Sequence, residues 1–139
     1  YYHPQPWVAY RQRANSILAS MTPAKAADQS AALWPLAQAV QALQDDALRN
    51  DGRLHFAWAH QAARNLIGAL RFLDRQRDMP PAQRQALAQQ FLADFGRISP
   101  LSLPALRQAY LRRGWWLRAW KLRSWERRAQ QLGTPGAHA

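Results

Sequence analysis

Between Arg107 and Arg128 the chain holds seven arginines and Lys121 against a single acid, Glu126, and four of its seven tryptophans lie among them: Trp115, Trp116, Trp120 and Trp125. Cations replace the counterions that surround phosphates, and flat apolar rings stack on exposed bases, so this combination suits a nucleic-acid surface. Read as one helix from a Ser102 cap to Leu132, the stretch separates into two stripes at three-four spacing. Leu111, Trp115, Leu122 and Trp125 form an apolar line expected in the core. Arg112, Trp116, Trp120, Arg123 and Arg127 form the other, on roughly the opposite side, and are the first candidate binding residues.

A second basic line lies upstream. On a helix from Arg53 to about Arg77, the hundred-degree step per residue aligns Arg53, His60, Arg64, Arg71 and Arg75 as a ridge. Beside it Phe56, Ala59, Ala63, Leu66, Leu70 and Leu73 make an apolar stripe, widened by Trp58, Ala62 and Ala69. Such a helix is central, packed on much of its circumference, with the arginine line at the surface. Ala57 and Gly68, close to the ridge, let another backbone approach. The competing reading is a solvated face, in which Asp74 and Asp78 pair with Arg71, Arg75 or Arg77. Two separate ordered basic lines favour the binding reading. So does the charge outside the final forty residues, where eleven basic residues stand against seven acidic ones.

Catalytic constellations are missing. His55 and His60 are five apart, not the four that places two imidazoles on one helical face, and no metal-ligand spacing occurs. Asp45 and Asp46 point apart on a helix, while Asp74 and Asp78 lie among arginines that neutralise them. There is no glycine-rich phosphate loop, no nucleophile elbow and no cysteine, which also removes disulfides and sulfur-ligated zinc. The chain is therefore expected to be no enzyme, with no cofactor and no metal.

The elements that position these residues are helical. A 139-residue chain, 48% hydrophobic and with a formal charge of +11, has core formers for one domain and calls for an anionic partner. Of nineteen basic residues only Lys25 and Lys121 are lysines, a bias toward the planar fork that suits phosphates and stacking. Pro4 and Pro6 keep the start extended, and a first helix is expected from Trp7 to Ser20 with Trp7, Tyr10, Ala14, Ile17, Leu18 and Met21 inward. Thr22 and Pro23 start a second helical region to about Asn50, kinked or broken near Ser30 to Trp34 by Pro35, with Leu33, Leu36, Val40, Leu43 and Leu48 facing the core. Asn50 to Gly52 form a turn before the central third helix, and Met79 to Pro81 end it. A fourth helix, with Leu87, Phe91, Leu92 and Phe95 inward, runs to a glycine cap at Gly96. Gly114 is placed to bend or divide the last helix, and residues 133 to 139 form a frayed tail.

These observations predict an all-α single compact domain of five or six helices over residues 1–132, with a long central third helix and a Trp/Arg-rich C-terminal helix. The expected function is sequence-tolerant binding of DNA or RNA through its phosphate backbone. In size, helicity and charge the chain resembles small helical subunits of nucleoprotein assemblies, so further protein subunits are expected partners. Two alternatives use the same surface: a helical adaptor, because Trp and Arg dominate interface hot spots, and a membrane-surface protein, because both settle among headgroups. No run of residues is long and apolar enough to span a bilayer. A cytoplasmic location is expected, with an upstream signal or anchor left open by the start at Tyr1.

Overall fold

The computed structural model describes residues 22–42 and 45–132, apart from the Leu48 side chain. The expected first helix from Trp7 to Ser20, with Met21, Leu43, the Leu48 side chain and the tail from Gly133, lies outside the described residues. Helices follow in the order α1 (Pro23–Ala31), α2 (Trp34–Gln41), α3 (Asp46–Arg49), α4 (Gly52–Asp74), α5 (Pro81–Ile98), α6 (Leu103–Arg112) and α7 (Trp116–Gln131). Five of these run nine residues or longer, and no strand occurs among the described residues. The all-α expectation therefore holds, as does the long central helix.

Local chemistry sets the boundaries. Thr22 Oγ1 accepts the Lys25 amide to cap α1, with Pro23 in the first turn. The chain breaks between Ala31 and Trp34, where Pro35 cannot supply an amide to a continuing helix. Asp51 caps α4 by accepting from the amides of Arg53 and Leu54. Helix α4 stops at Asp74, not Arg77, because Leu73 is its last buried side chain and the amides of Arg75 and Gln76 close tighter three-residue turns onto Phe72 and Leu73. Gly96, expected as a left-handed cap, is an ordinary turn of α5. The helix continues to bury Ile98, and Pro100 then holds Ser99 extended.

Helix α4 is the hub, packing against α1, α5, α6 and α7. Its buried side chains are Trp58, Ala59, Ala62, Ala63, Leu66, Ala69, Leu70 and Leu73, and the alanines let neighbours approach closely. An added Cβ at Gly68 would come 3.4 Å from Gln29 Nε2, so this glycine marks the approach of α1. Phe91, Leu106, Leu122 and Leu132 join Leu70 and Leu73 as the largest fully buried side chains, each contributing about 1.5 to 3 kcal/mol by burial. Leu36, expected inside, is exposed, and Ala37 is the residue that α2 buries. Asp94, buried on α5, accepts from Ser30 Oγ at 2.8 Å and Arg97 Nη2 at 3.0 Å, and the Arg97 guanidinium lies over the Trp34 ring at 4.5 Å. One carboxylate thus ties α1 to α5, while its arginine partner reaches α2.

The Trp/Arg stretch is two helices, not one. Ser102 Oγ accepts the Ala105 amide to start α6. At its far end the Trp115 amide donates to Tyr110 O at 2.9 Å and the Gly114 amide to Leu111 O at 3.0 Å, the paired bonds of a Schellman turn, with Gly114 at φ +73. The expected continuous apolar line is thereby broken: Leu111 is 51% and Trp115 38% exposed, Trp125 is partly buried, and Leu122 alone is fully inside.

Because nothing lies within 4 Å of a Cβ built at Gly114, Gly114→Ala should lose only the left-handed backbone energy, roughly 1 to 2 kcal/mol. Gly96→Ala, in regular helix with open space, should instead gain about 0.5 to 1 kcal/mol. Urea midpoints of the two variants measure both, and equal effects would show that the Schellman turn does not hold the hairpin.

Candidate functional site

The turn at Gly114 folds α7 back along α6 and against α4 and α5. Two ion pairs tie it there: Arg107 Nη1 to Glu126 Oε2 at 2.8 Å from α6, and Arg128 to Asp74 Oδ1 from α4, through Nη2 at 2.7 Å and Nε at 2.9 Å. Asp74 thus bonds across to α7 instead of pairing along its own helix with Arg71, Arg75 or Arg77; both pairs are partly exposed, so they direct the packing more than they stabilise it. Ala119, Leu122 and Ala129 are the buried face of α7. Two polar faces remain, one turned toward α4 and one away from the core.

The face toward α4 meets an aromatic cluster. Phe56 and His60 stack with ring centroids 6.1 Å apart; Tyr110 stands edge-on to both, and Trp115 lies within 6 Å of all three centroids. Arg113 covers the Phe56 ring at 3.6 Å, and Arg118 sits 5.1 Å from the Trp115 centroid. His60 Nδ1 is 2.7 Å from the Tyr110 hydroxyl, and its Nε2 is 3.2 Å from Arg118 Nη1. A guanidinium can only donate, so Nε2 is the unprotonated nitrogen. The ring proton is then on Nδ1 and is donated to the Tyr110 oxygen. Tyr110 keeps its own hydroxyl proton, for which the described residues provide no acceptor.

Electrostatics hold this arrangement neutral. Burial, then the charges of Arg118 and Arg64, push His60 below its ordinary 6.5, so the imidazole carries no charge at neutral pH. Burial pushes the Tyr110 phenol up to about 12, with Arg118 opposing. Here the structure opens a cavity of about 390 Å3, lined by Arg64 and Arg71 of α4, Arg118 and Lys121 of α7, and His60 and Tyr110, with Ala63, Ile67 and Gly68 as its apolar wall. Four cations and no carboxylate line it.

The face away from the core carries Trp116 and Trp120, 71% and 69% exposed, with Arg123 and Arg127 also exposed. Trp120, Arg123 and Arg127 border a broad groove of about 650 Å3 that also includes Lys121, Trp125 and the paired Asp74 and Arg128. Lys121 therefore belongs to both the groove and the cationic cavity.

The predicted site residues distribute over four places. His60, Arg64 and Arg71 enter the cavity, while Trp116, Trp120, Arg123 and Arg127 share the outer face of α7. Arg53 and Arg75 are exposed at opposite ends of α4, a helix about 35 Å long, and do not line the cavity. Arg112, on α6, borders a separate groove with Gly52, Phe56 and Arg113. Sequence reasoning missed Tyr110, Arg118 and Lys121. Tyr110 continues the three-four spacing of Leu103 and Leu106, which marks it as inward-facing. Arg118 and Lys121 carry no such signal, because their approach to His60 depends on the angle of the turn at Gly114. Compared with protein-family models, curated proteins and solved structures, the chain matches none.

The cluster dictates how stability responds to pH. As the pH drops through 6.5 an unfolded chain protonates at residue 60 before the folded one does, so stability falls until the lowered folded pKa is reached. From pH 10 to about 12 the unfolded chain loses the Tyr110 proton that the folded one keeps, so stability falls as the pH rises through that window. Urea midpoints against pH should lose the acid slope in His60→Gln and the alkaline slope in Tyr110→Phe, and slopes that persist in these variants would show that the two groups are not shielded as the structure places them.

Proposed function

We propose that this protein binds single-stranded nucleic acid through its backbone and stacked bases, with little sequence discrimination, as one subunit of a larger assembly. The observation that carries the reading is the adjacency of a four-cation cavity without carboxylates and a helix face bearing two exposed tryptophans, joined at Lys121. Phosphates displace counterions at the cations, and bases stack on the indoles whatever their identity. Nothing in the arrangement offers a fixed donor and acceptor pattern for a particular base edge. Among the described residues no group of three or more His, Asp or Glu side chains is gathered where it could hold a metal ion.

A second reading rests on Leu111 and Leu117, exposed beside the tryptophans at the Gly114 corner. Aliphatic side chains have no flat face to offer a base. An apolar patch rimmed by arginines suits a protein partner, and in this reading the corner docks on another subunit while the cavity contacts the strand.

Replacing Trp116 or Trp120 with alanine should weaken binding to a fluorescent single-stranded oligonucleotide by roughly 1 to 3 kcal/mol, with the melting temperature nearly unchanged. Wild-type affinity should fall with salt at a logarithmic slope of about 0.7 per phosphate contacted, and Arg123→Glu with Arg127→Glu should flatten that slope. Failure to bind oligonucleotide even at low salt, with retention of a protein partner that either tryptophan substitution releases, would replace the first reading by the second.

A further inference from the structure

The cavity between α4 and α7 differs in kind from the outer face of α7, and the difference bears on which phosphate each can take. Along the outer face, Arg123 and Arg127 are one turn apart on an open surface, a spacing that follows a strand from phosphate to phosphate. In the cavity, by contrast, Arg64, Arg71, Arg118 and Lys121 converge from two helices on one recess, and a third helix contributes Tyr110. Its volume of about 390 Å3 lies in the range of small-molecule sites, roughly 300 to 1,000 Å3, and is too small for a length of backbone.

Charge sharpens the distinction. A backbone diester brings one negative charge, whereas a phosphate monoester carries about 1.5 to 2 at neutral pH and has three free oxygens. Four cations in a lining that holds no carboxylate match the more highly charged group and leave a single diester surrounded by excess positive charge. The donors fit as well. Arg118 now spends a donor on His60 Nε2, a weak use for a guanidinium, and Tyr110, nine-tenths buried, has a hydroxyl proton without an acceptor among the described residues. An anion seated in the cavity supplies acceptors for both.

We infer that the cavity lined by Arg64, Arg71, Arg118, Lys121 and Tyr110 is an end-binding pocket that takes the terminal phosphate monoester of a nucleic-acid strand. This rests on the nucleic-acid reading above and narrows it: the strand is held by its phosphorylated end in the cavity and tracked by the tryptophan face beyond Lys121. Seating the phosphate draws the Arg118 guanidinium to its oxygens and turns the Tyr110 hydroxyl toward it, while His60 continues to donate Nδ1–H to the Tyr110 oxygen and so fixes the direction of that hydroxyl.

The test uses the full chain and one labelled single-stranded sequence in three forms, with a 5′-phosphate, with a 3′-phosphate, and with hydroxyls at both ends. One phosphorylated form should bind about tenfold or more tightly than the hydroxyl form, the worth of at least one charge-assisted hydrogen bond, and which one it is assigns the polarity. Arg64→Gln combined with Arg118→Gln should weaken every form but the favoured phosphorylated one most, so that the preference is erased, and Tyr110→Phe, which removes one donor and little volume, should reduce it. Trp120→Ala should weaken all three forms alike and keep the preference. Circular dichroism and melting temperature establish that each variant is folded. Equal affinity for the three forms overturns the end-binding pocket and leaves general strand binding standing. If no form binds, strand binding fails, and calorimetry with a nucleoside monophosphate then decides the pocket alone: heat that Arg64→Gln abolishes upholds a monoester site, and its absence overturns that too.

Discussion

A single backbone dihedral organises the C-terminal helices of this molecule and the cavity they form with α4. With Gly114 at φ +73, the amides of Gly114 and Trp115 turn back onto the last carbonyls of α6, and the chain reverses within three residues. Had the helix run on, Trp115 would extend the line of Leu111 along one rod, and Arg118 would have no reason to meet His60. With the reversal, Trp115 enters the ring cluster of Phe56, His60 and Tyr110, and Arg118, three residues later, is delivered between Trp115 and the imidazole. The arginine is thus held by an aromatic face and a neutral nitrogen, with no carboxylate among its described partners. Its charge remains available to an anion.

The scarcity of acids has the same consequence throughout. Three acids of the packed helices hold one element to another: Asp94 serves Ser30 and Arg97, Asp74 serves Arg128 and Glu126 serves Arg107. None lies in the cavity, where four like charges repel one another, and where burial and then two of those charges, Arg118 and Arg64, disfavour a proton on His60. That repulsion costs stability in the free protein and is relieved by a bound anion, so ligand binding and folding are coupled in sign: an anion that binds only the folded chain stabilises it by mass action. A scaffold with no anionic partner has no use for such a concentration of charge, since scattering the same arginines over the surface would give solubility without the penalty.

The sequence was most informative where periodicity alone decides the outcome. The apolar stripe of α4, from Ala59 through Leu73, is buried as its spacing implies, and the outer face of α7 keeps Trp116, Trp120, Arg123 and Arg127 together because they all follow the turn. What could not be read is relative placement. Periodicity assigns a residue to a face of its own helix, but says nothing about which other helix that face meets. The ridge on α4 therefore looked like a continuous surface from Arg53 to Arg75, whereas only His60, Arg64 and Arg71 come against α7. Leu111 and Trp115 were misplaced for a related reason. A glycine costs a helix only about 1 kcal/mol, so Gly114 was compatible with bending or dividing the helix, and the choice was made by the tertiary gain of closing α7 onto α4 and α5.

The exposed rings of α7 bear on function more directly than the buried ones do. Ala119, Leu122 and Ala129, with Leu132, close the core beneath this helix, and among the described residues that core does not include Trp116, Leu117 or Trp120. Large apolar groups facing water gain nothing from folding, and a contiguous group of them is an aggregation hazard unless something covers it. Burial among the described residues therefore does not account for their presence, and the proposed stacking or docking would give them a role. Their position narrows the matter further. Trp120 adjoins Lys121, the one residue shared by cavity and groove, so whatever covers the tryptophans continues into a region of dense positive charge. A neutral apolar partner would leave that charge unanswered, and a compact anion would leave the rings uncovered. The proposed ligand, an unpaired nucleic-acid strand, is flat and apolar along one edge and anionic along the other, and so would meet both requirements at once.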